Sequence, residues 1–284
     1  MDIYEEIVRV RREGGRAALA TIVRRHGSTP RRDFAKMLIS EDGSTIGSVG
    51  GGQTEAEVIK EAGRVMETGE ASLLKYQLTQ KDAAEEGLTC GGTLEVFVEP
   101  ILPDPKLILM GAGHIGQMVA EAAHRVGFKV AVVDDRESFA NEERFPEAEE
   151  IVVASFQEGL DAVTVSQTSF ILIATRGHGH DQSVLEQALQ TPACYIGMIG
   201  SRRKTQIIVQ KLLEKGVSPE ALSRLYAPIG IEIGSETPEE IAVSVVAELI
   251  AILRGAHQRS EKQRFVMKLL EKAESIESEA EVQA

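Results

Sequence analysis

The sequence predicts an α/β protein in which an N-terminal α+β domain precedes a doubly wound parallel sheet. Between residues 106 and 254, apolar runs of strand length alternate with helical patterns, which is typical of a parallel sheet covered by helices on both faces. Before residue 100, the strands are joined by hairpin signals such as Glu41-Asp-Gly43. The two halves are separated by Pro100, Pro103 and Pro105, a density of proline that excludes a helix or a central strand.

The N-terminal domain is predicted to span residues 1–102. It begins with an amphipathic helix over residues 2–12, in which Ile3, Ile7 and Val10 share one face. The other predicted elements are strands at 17–23, 36–40, 72–79 and 93–99 and a helix at 53–67.

The second domain is predicted to span residues 103–258, followed by a C-terminal helix and acidic tail over 259–284. Its predicted strands are 106–110, 129–133, 150–154, 169–174 and 194–197, and its predicted helices are 115–126, 181–190, 203–215 and 237–254. Thr237 is the expected N-cap of the last helix, with Pro238 at its first position. The apolar residues of that helix are expected to be core: Ile241, Val245, Val246, Leu249 and Ile250.

Composition bounds the function. The 284 residues carry 31 basic and 44 acidic side chains, a net charge of −13 that disfavours nucleic-acid binding. Two distant cysteines, Cys90 and Cys194, disfavour a disulfide framework, a cysteine zinc site and an iron–sulfur cluster. The start of the chain is no signal peptide and no apolar run reaches the ~18 residues of a membrane span. We therefore expect a soluble, cytoplasmic protein without membrane contact. Cys194 lies in a predicted buried strand and is expected to be a core residue.

A glycine-rich turn follows the first strand of the second domain. It reads Gly111-Ala-Gly-His114-Ile-Gly116, the G-x-G-x-x-G spacing of dinucleotide-binding Rossmann domains. Gly111 suits the tight turn, Gly113 lets the backbone approach a pyrophosphate, and Gly116 allows close helix–strand packing. This turn, His114 included, is a candidate cofactor site; alternatively, the glycines serve only the turn and the packing.

The next strand ends at Asp134. A carboxylate in that place hydrogen-bonds a ribose in Rossmann domains, and it favours NAD over NADP. Whether a dinucleotide binds is left open by the sequence.

Two later loops stand at carboxyl ends of predicted strands, where doubly wound sheets bind ligands. The first carries Arg176, His178 and His180, which could bind a ligand or a metal, or could only orient the loop while Asp181 caps the next helix. The second combines Ser201, a possible helix cap, with Arg202 and two further cations at a helix start. Cations do not suit that end of the helix dipole, which favours anion binding or an interface.

Loops of the N-terminal domain also suit anions. The segment around Gly27-Ser-Thr-Pro30 offers Ser28 and Thr29 as donors, and it is rich in cations: Arg24, Arg25, Arg31, Arg32 and Lys36. Gly50, Gly51 and Gly52 precede the helix at Gln53 and offer backbone N–H groups. Cys90 lies in a third, Gly-rich loop, where it is either a reactive thiol or a small buried residue.

Taken together, these motifs resemble the xanthine dehydrogenase accessory protein family, also called XdhC/CoxI. The matching stretches run in order over about residues 5–254: Gly27-Ser-Thr-Pro-Arg31, Gly47-Ser-Val-Gly-Gly-Gly52, Cys90-Gly-Gly92, Gly111 to Gly116, Arg176-Gly-His-Gly-His-Asp181, Tyr195 to Lys204, and Pro228-Ile-Gly230 through Pro238-Glu-Glu-Ile-Ala242. The combination is much more specific than any single motif.

The resemblance implies an accessory protein of purine metabolism, rather than a stand-alone enzyme. Such proteins bind and protect molybdenum cofactor, assist its sulfuration with a cysteine desulfurase, and insert it into a xanthine dehydrogenase-type molybdenum hydroxylase; a homodimer is expected. Cys90 would then be the catalytic residue and the contact to molybdenum. The residues expected to hold the cofactor are Ser28, Thr29, Arg31, Gly51, Gly52, Gln53, Gly91 and Gly92, with Arg176, His178, His180, Ser201 and Arg202 in the second domain.

Two positions depart from the family pattern. The family often has a cysteine where this chain has Gln53, and a glycine where it has Phe34. If the missing cysteine helps to hold molybdenum, this chain must rely on Cys90 alone or bind the cofactor differently.

Two other functions remain open from the residues, and a third is disfavoured. The chain could be an NAD(P)-dependent oxidoreductase in which His178 or His180 is the acid–base group, although no catalytic pair stands out. It could be an interaction scaffold with a degenerate Rossmann domain. A molybdenum hydroxylase itself is disfavoured, because two cysteines cannot hold the usual pair of iron–sulfur clusters.

Overall fold

The computed structural model describes residues 2–26, 34–77, 93–256 and 265–271. The chain divides into two compact units, Met1–Asp104 and Pro105–Ala284, each with its own sheet. Among the described residues, no helix is both long enough and apolar enough to cross a membrane.

The first unit is built on a five-stranded sheet in the order β3-β2-β1-β5-β4, in which every neighbouring pair is antiparallel. Its elements are α1 (Ile3–Arg12), β1 (Ala17–His26), β2 (Lys36–Ser40), β3 (Thr45–Gly47), α2 (Gly52–Thr68), β4 (Ser72–Gln77) and β5 (Thr93–Ile101).

The central strand β1 is apolar on both faces because a helix covers each. Ala17 and Leu19 pack in one cluster with Val10 of α1. Ala18 and Ala20 point the other way, into a cluster that contains Val58 of α2. A buried strand between two layers therefore appears in the sequence as a continuous apolar run, without the alternation of a half-exposed strand.

The second unit is a six-stranded parallel sheet in the order β8-β7-β6-β9-β10-β11. Its elements are β6 (Lys106–Met110), α3 (His114–Arg125), β7 (Lys129–Asp134), β8 (Glu150–Val153), α4 (Phe156–Ala162), β9 (Ser169–Ile173), α5 (His178–Ala188), β10 (Tyr195–Met198), α6 (Arg202–Glu214), α7 (Pro219–Leu222), β11 (Leu225–Tyr226) and α8 (Pro238–Leu253), and residues 265–271 are also helical.

Numbered along this unit, the strand order is 3-2-1-4-5-6, that of a Rossmann fold. The order reverses between β6 and β9, so the crevice in which such sheets bind ligands opens at the carboxyl ends of these two strands. Two apolar clusters fill the two faces of the sheet. The predicted fold class, an α+β domain followed by a Rossmann-like domain, is confirmed.

The α8 cap also agrees with its prediction. Thr237 is the N-cap, Pro238 opens the helix, and a capping box joins Thr237 to Glu240 in both directions.

Some predictions were wrong in detail. Helix α5 begins at His178 instead of residue 181, so Asp181 lies in its first turn and Gly177 is the N-cap. Ile250 was expected in the core, but 37% of it is exposed. Four short elements were not predicted: β3, α4, α7 and β11. The predicted C-terminal helix at 259–274 falls largely outside the described residues.

Candidate functional site

Three connections that carry predicted site residues leave from one end of the five-stranded sheet. Thr93, the first residue of β5, pairs with both His26, the last of β1, and Gln77, the last of β4. Gly47, the last residue of β3, pairs with Met37 near the start of β2. The connections after β1, β3 and β4 therefore start at the same sheet end.

Most of the predicted residues in these connections lie outside the described part of the chain. This applies to Ser28, Thr29, Arg31, Cys90, Gly91 and Gly92, whose roles stay predictions. The ends of the connections are described. Arg24 and Arg25 are exposed near the end of β1, and Lys36 at the start of β2 donates to Thr21 Oγ1 at 3.0 Å. Cations thus flank the first connection on both sides.

The glycine triplet before α2 adopts a conformation that glycine favours. The φ angles of Gly50, Gly51 and Gly52 are 152°, 105° and 57°, so a side chain at any of them would strain the backbone. No side chain caps Gly51, the N-cap of α2. The first amides of α2 therefore lack a side-chain partner at the cap, next to Gln53 in the first turn of the helix.

A carboxylate that the sequence did not single out already occupies part of this loop. Glu55 Oε1 accepts hydrogen bonds from Ser48 Oγ at 2.5 Å, Val49 N at 3.1 Å and Gly50 N at 3.3 Å. The preceding amides thus bind an anionic group of the chain itself. This shows that the loop accommodates negative charge, and it limits a ligand to the amides at the start of α2.

Phe34 lies at the described edge of the connection after β1. Its φ is 65°, the only positive value among the described residues other than glycine, and 73% of the residue is exposed. The family's usual glycine at this position would adopt this conformation without steric cost. An aromatic side chain is held here in a strained and exposed position beside a predicted binding loop.

In the second unit, the three glycines of the Rossmann turn have separate roles. A Cβ on Gly111, where φ is 122°, would lie 2.4 Å from the Ala174 carbonyl oxygen, and one on Gly116 would lie 2.4 Å from the Gly111 carbonyl oxygen. A Cβ on Gly113 would meet nothing within 4 Å, and its φ of −69° suits any residue. Packing explains the first and third glycines, whereas the second leaves room above the turn where a pyrophosphate would lie.

Asp134, the predicted ribose ligand, is fully buried and already has partners. Its Oδ2 accepts from Ala112 N at 2.8 Å and from Arg136 Nη2 at 2.9 Å, and its Oδ1 accepts from Arg136 Nε at 2.8 Å. Burial raises the pKa of this carboxyl, but the Arg136 and Ala112 hydrogen bonds outweigh it and leave the pKa below its usual range. A ribose would have to displace Arg136, so in this conformation Asp134 fixes the Gly-rich turn.

Arg136 is held in turn by an aromatic ring. Its guanidinium carbon lies 3.7 Å from the centroid of Phe139, and that of Arg144 lies 4.9 Å from the same ring. Arg144 also reaches the turn, since its Nη2 donates to Gln117 Oε1 at 2.9 Å and to the Ala112 carbonyl at 3.3 Å. Two cations therefore flank the Rossmann turn, and neither stood out in the sequence.

The residues of the loop after β9 have different environments. Arg176 Nη2 donates to Asp135 Oδ2 at 2.6 Å, which links this loop to the end of β7. The exposed ring of His180 packs edge-on against Phe156, with 5.4 Å between centroids. The side chain of His178 lies outside what the structure describes. No group of three metal-ligating side chains occurs among the described residues.

Asp181 does not cap α5 as expected. Its carboxylate is buried, accepts from Thr175 Oγ1 at 2.7 Å and forms an ion pair with Lys204 Nζ. Lys204 also donates to the Ile199 carbonyl at 3.0 Å. The lysine therefore ties the loop after β10 to that after β9, and one of the three cations at the start of α6 has a structural partner.

The other two predicted residues of this loop are exposed. Ser201 is the N-cap of α6 and accepts from Lys204 N at 3.2 Å. The Arg202 guanidinium lies 3.9 Å from Glu232 and 6.0 Å from the Phe265 ring. Both remain candidates for binding an anion.

Cys194 is not a strand residue. It immediately precedes β10 at an exposed position, where its Sγ donates to the Ser169 carbonyl at 3.3 Å. Although the residue as a whole is exposed, desolvation of its sulfur raises the pKa of the thiol to about 11, so the thiol is protonated at neutral pH and a poor nucleophile.

The two compact units match the models of one protein family. The model described as the XdhC and CoxI family matches residues 10–77, and the model described as the XdhC Rossmann domain matches residues 107–249. One match therefore falls in each unit.

Three curated proteins are similar over most of this chain. YqeB, an uncharacterized protein of Escherichia coli strain K12, is 37% identical over 257 residues, which cover 90% of this chain but 47% of YqeB. This chain therefore spans about half the length of YqeB. A protein of Bacillus subtilis strain 168, described as a probable subunit of xanthine dehydrogenase, is 27% identical, covering 82% of this chain and 92% of that protein. PaoD, a molybdenum cofactor insertion chaperone of Escherichia coli strain K12, is 24% identical, covering 84% of each.

One solved structure is similar over nearly the whole chain. The crystal structure of a xanthine dehydrogenase from Bacillus halodurans has a TM-score of 0.50 and 25% sequence identity, covering 92% of this chain and 98% of that one.

Proposed function

The chain belongs to the XdhC and CoxI family, and on that premise we propose that it is a cytoplasmic accessory protein that carries molybdenum cofactor to a xanthine dehydrogenase-type molybdenum hydroxylase. The cofactor is the cargo of this protein. The functions named for two relatives support the proposal, since one is a molybdenum cofactor insertion chaperone and the other a probable subunit of xanthine dehydrogenase.

The observation that carries the proposal is the common origin of three connections at one sheet end. The pairing of Thr93 with both His26 and Gln77 brings together the ends of the segments that contain Arg31 and Cys90. The glycine triplet before α2 leaves from the same end. Cations, backbone amides and a thiol are the groups that a phosphate and a soft metal centre require.

We assign the phosphate of the cofactor to Ser28, Thr29 and Arg31 together with the amides at Gly51 and Gly52. We assign Cys90, in the connection after β4, to the contact with molybdenum or with the sulfur to be transferred, together with Gly91 and Gly92 of the same segment. Gln53 stands where the family often has a cysteine and offers an amide in place of a thiol. Cys194 is excluded from this role by its raised pKa and its contact with Ser169.

The partners follow from the cargo. We propose a cysteine desulfurase as the sulfur donor, with this chain holding the cofactor while it is sulfurated, and the hydroxylase as the acceptor. The chain acts as a homodimer. An NAD(P)-type dinucleotide in the second unit is a separate proposal: the space above Gly113 suits its pyrophosphate, and Arg136 must release Asp134 before a ribose can bind.

Retention of free cofactor tests the carrier function. The purified chain is incubated anaerobically with free molybdenum cofactor and desalted, and molybdenum and pterin per chain are then measured by elemental analysis and fluorescence. We expect near-stoichiometric retention, reduced in Cys90→Ser and in Arg31→Ala. Cys194→Ser and Arg12→Ala are matched controls, since Cys194 is in the other unit and Arg12 lies exposed in the last turn of α1, and both should retain the cofactor.

The possible outcomes distinguish the carrier function from the role assigned to the Cys90 thiol. Retention that is unchanged in Cys90→Ser but lost in Arg31→Ala keeps the carrier function and removes the thiol from the site. Absence of retention by the unaltered chain overturns the carrier function.

A further inference from the structure

Helix α8 is apolar on two sides. Its inner side belongs to the core of the second unit, where Ala242, Val245 and Leu249 lie in the same cluster as residues of α3. On its outer side, Val243 is 60% exposed and Ile250 is 37% exposed. Exposed apolar side chains on the outer side of a helix whose inner side is core indicate a surface that another protein covers.

The outer side forms a defined stripe. It consists of Glu239, Val243, Ala247, Ile250 and Arg254, which lie within an arc of about 80° at 3.6 residues per turn. Glu239 and Arg254 are exposed, and within the described residues neither pairs with another side chain. The stripe therefore begins with an unpaired acid, continues with apolar residues and ends with an unpaired cation.

Two copies of this stripe that run antiparallel are complementary to each other in charge and in apolar surface. Glu239 and Arg254 are equally distant from the midpoint between Val246 and Ala247, and so are Val243 and Ile250. We propose that a second copy of this chain docks on the stripe, with the two α8 helices antiparallel across a two-fold axis. In this pairing Val243 packs on Ile250 of the partner subunit, and Glu239 meets Arg254 of the partner subunit.

The neighbouring residues fit such an interface. Ala247, beside the axis, is small enough for the helices to approach closely. The exposed Ile231 is tied to the middle of α8, because its N–H donates to the Ser244 carbonyl at 3.1 Å and its carbonyl accepts from Ser244 Oγ at 2.5 Å. The charged ends set the antiparallel orientation, since a parallel pairing would place Glu239 against Glu239 of the partner subunit.

Sedimentation velocity over a range of concentrations tests the surface. The unaltered chain is expected to be a dimer, and Val243→Glu should raise the dimer dissociation constant at least about tenfold, because it buries a charge opposite Ile250 of the partner subunit. Val153→Glu is the matched control. Val153 is an equally simple exposed valine, at 47%, on the edge strand β8, and its substitution should leave the dimer intact.

A charge exchange tests the orientation. Glu239→Arg alone and Arg254→Glu alone should each weaken the dimer, since each places like charges opposite one another twice. Mixing the two variants should restore association as a heterodimer in which both charge pairs are complementary. Contacts within one chain cannot explain this rescue, because 15 helical residues separate the two positions by about 22 Å.

A chain that stays monomeric at every concentration overturns the proposal. So does a dimer that resists Val243→Glu, or one that Val153→Glu disrupts instead, which would move the interface to the sheet edge. A dimer broken by Val243→Glu without rescue on mixing overturns the antiparallel pairing. The proposal is independent of cofactor binding, because association is measured without cofactor.

Discussion

At the scale of single residues, the strained backbone of Phe34 leads to a prediction about stability. A non-glycine residue at positive φ costs about 1–2 kcal/mol, and 73% of Phe34 is exposed, so little packing offsets the strain. Phe34→Gly should therefore raise the free energy of unfolding of the first unit by about 1 kcal/mol, as measured by urea denaturation. Phe34→Ala removes the ring without relieving the backbone. Equal effects of the two substitutions would show that backbone strain is not the cause.

The buried carboxylate of Asp134 should make the free energy of unfolding depend on pH. Its folded pKa lies below the unfolded value of 3.8, so its contribution to stability is full above that pH and is lost as the pH falls through the folded pKa. Asp134→Asn should lower the free energy of unfolding by about 2 kcal/mol near neutral pH. The difference between the variant and the unaltered chain should shrink as the pH falls below 3.8.

Asp135→Asn is the control for this measurement. Asp135 pairs with Arg176 across partly exposed side chains, and such pairs contribute less than about 1 kcal/mol. A constant difference between Asp134→Asn and the unaltered chain over the acidic range would contradict the assignment of a lowered pKa.

Residue environments were the least predictable part of the protein. The position of Asp134 at the end of β7 follows from the strand pattern, but its capture by Arg136 depends on side-chain geometry that no spacing encodes. Likewise, Glu55 fills the glycine loop from within α2, and Lys204 reaches across to Asp181 from the next helix. In all three places, a side chain of the protein makes the contact. The sequence pattern had assigned that contact to a ligand or to a helix cap.

At the scale of elements, the strand–turn–helix of β6 and α3 separates packing from binding. Gly116→Ala should cost about 2 kcal/mol of stability, because its Cβ would lie 2.4 Å from the Gly111 carbonyl oxygen. Gly113→Ala should change the free energy of unfolding by less than about 1 kcal/mol, because its Cβ would meet open space. Thermal denaturation of both variants measures the contrast, and comparable losses would contradict the separate roles.

Long elements were predictable because their apolar periodicity extends over several turns or strand residues. Short ones were not: β11 has 2 residues, β3 has 3 and α7 has 4, too few for a periodic pattern to repeat. In helix α8, the element was predicted correctly but the burial of one residue was not. Of the five apolar residues of α8 that were expected in the core, Ile250 lies on the exposed side of the helix instead, with 37% of it exposed.

At the scale of the whole molecule, function depends on connections more than on the sheets. The fold of each unit follows from its apolar patterns, whereas the proposed site depends on connections that start at one sheet end because of strand register. Register is a long-range property: the pairing of His26 with Thr93 joins residues that no local pattern relates. The sequence therefore indicated the segments that we propose bind an anion, but not that they start from one sheet end.

The central claim is that this chain carries molybdenum cofactor to a hydroxylase, and transfer tests it most directly. The chain is loaded with cofactor, freed of excess, and mixed with a xanthine dehydrogenase-type hydroxylase prepared without its cofactor; the two proteins are then separated and the molybdenum in each is measured. We predict that molybdenum and pterin move together to the hydroxylase, and faster than from free cofactor at the same concentration. Cofactor that stays with the chain, or that reaches the hydroxylase no faster than free cofactor does, would contradict the account.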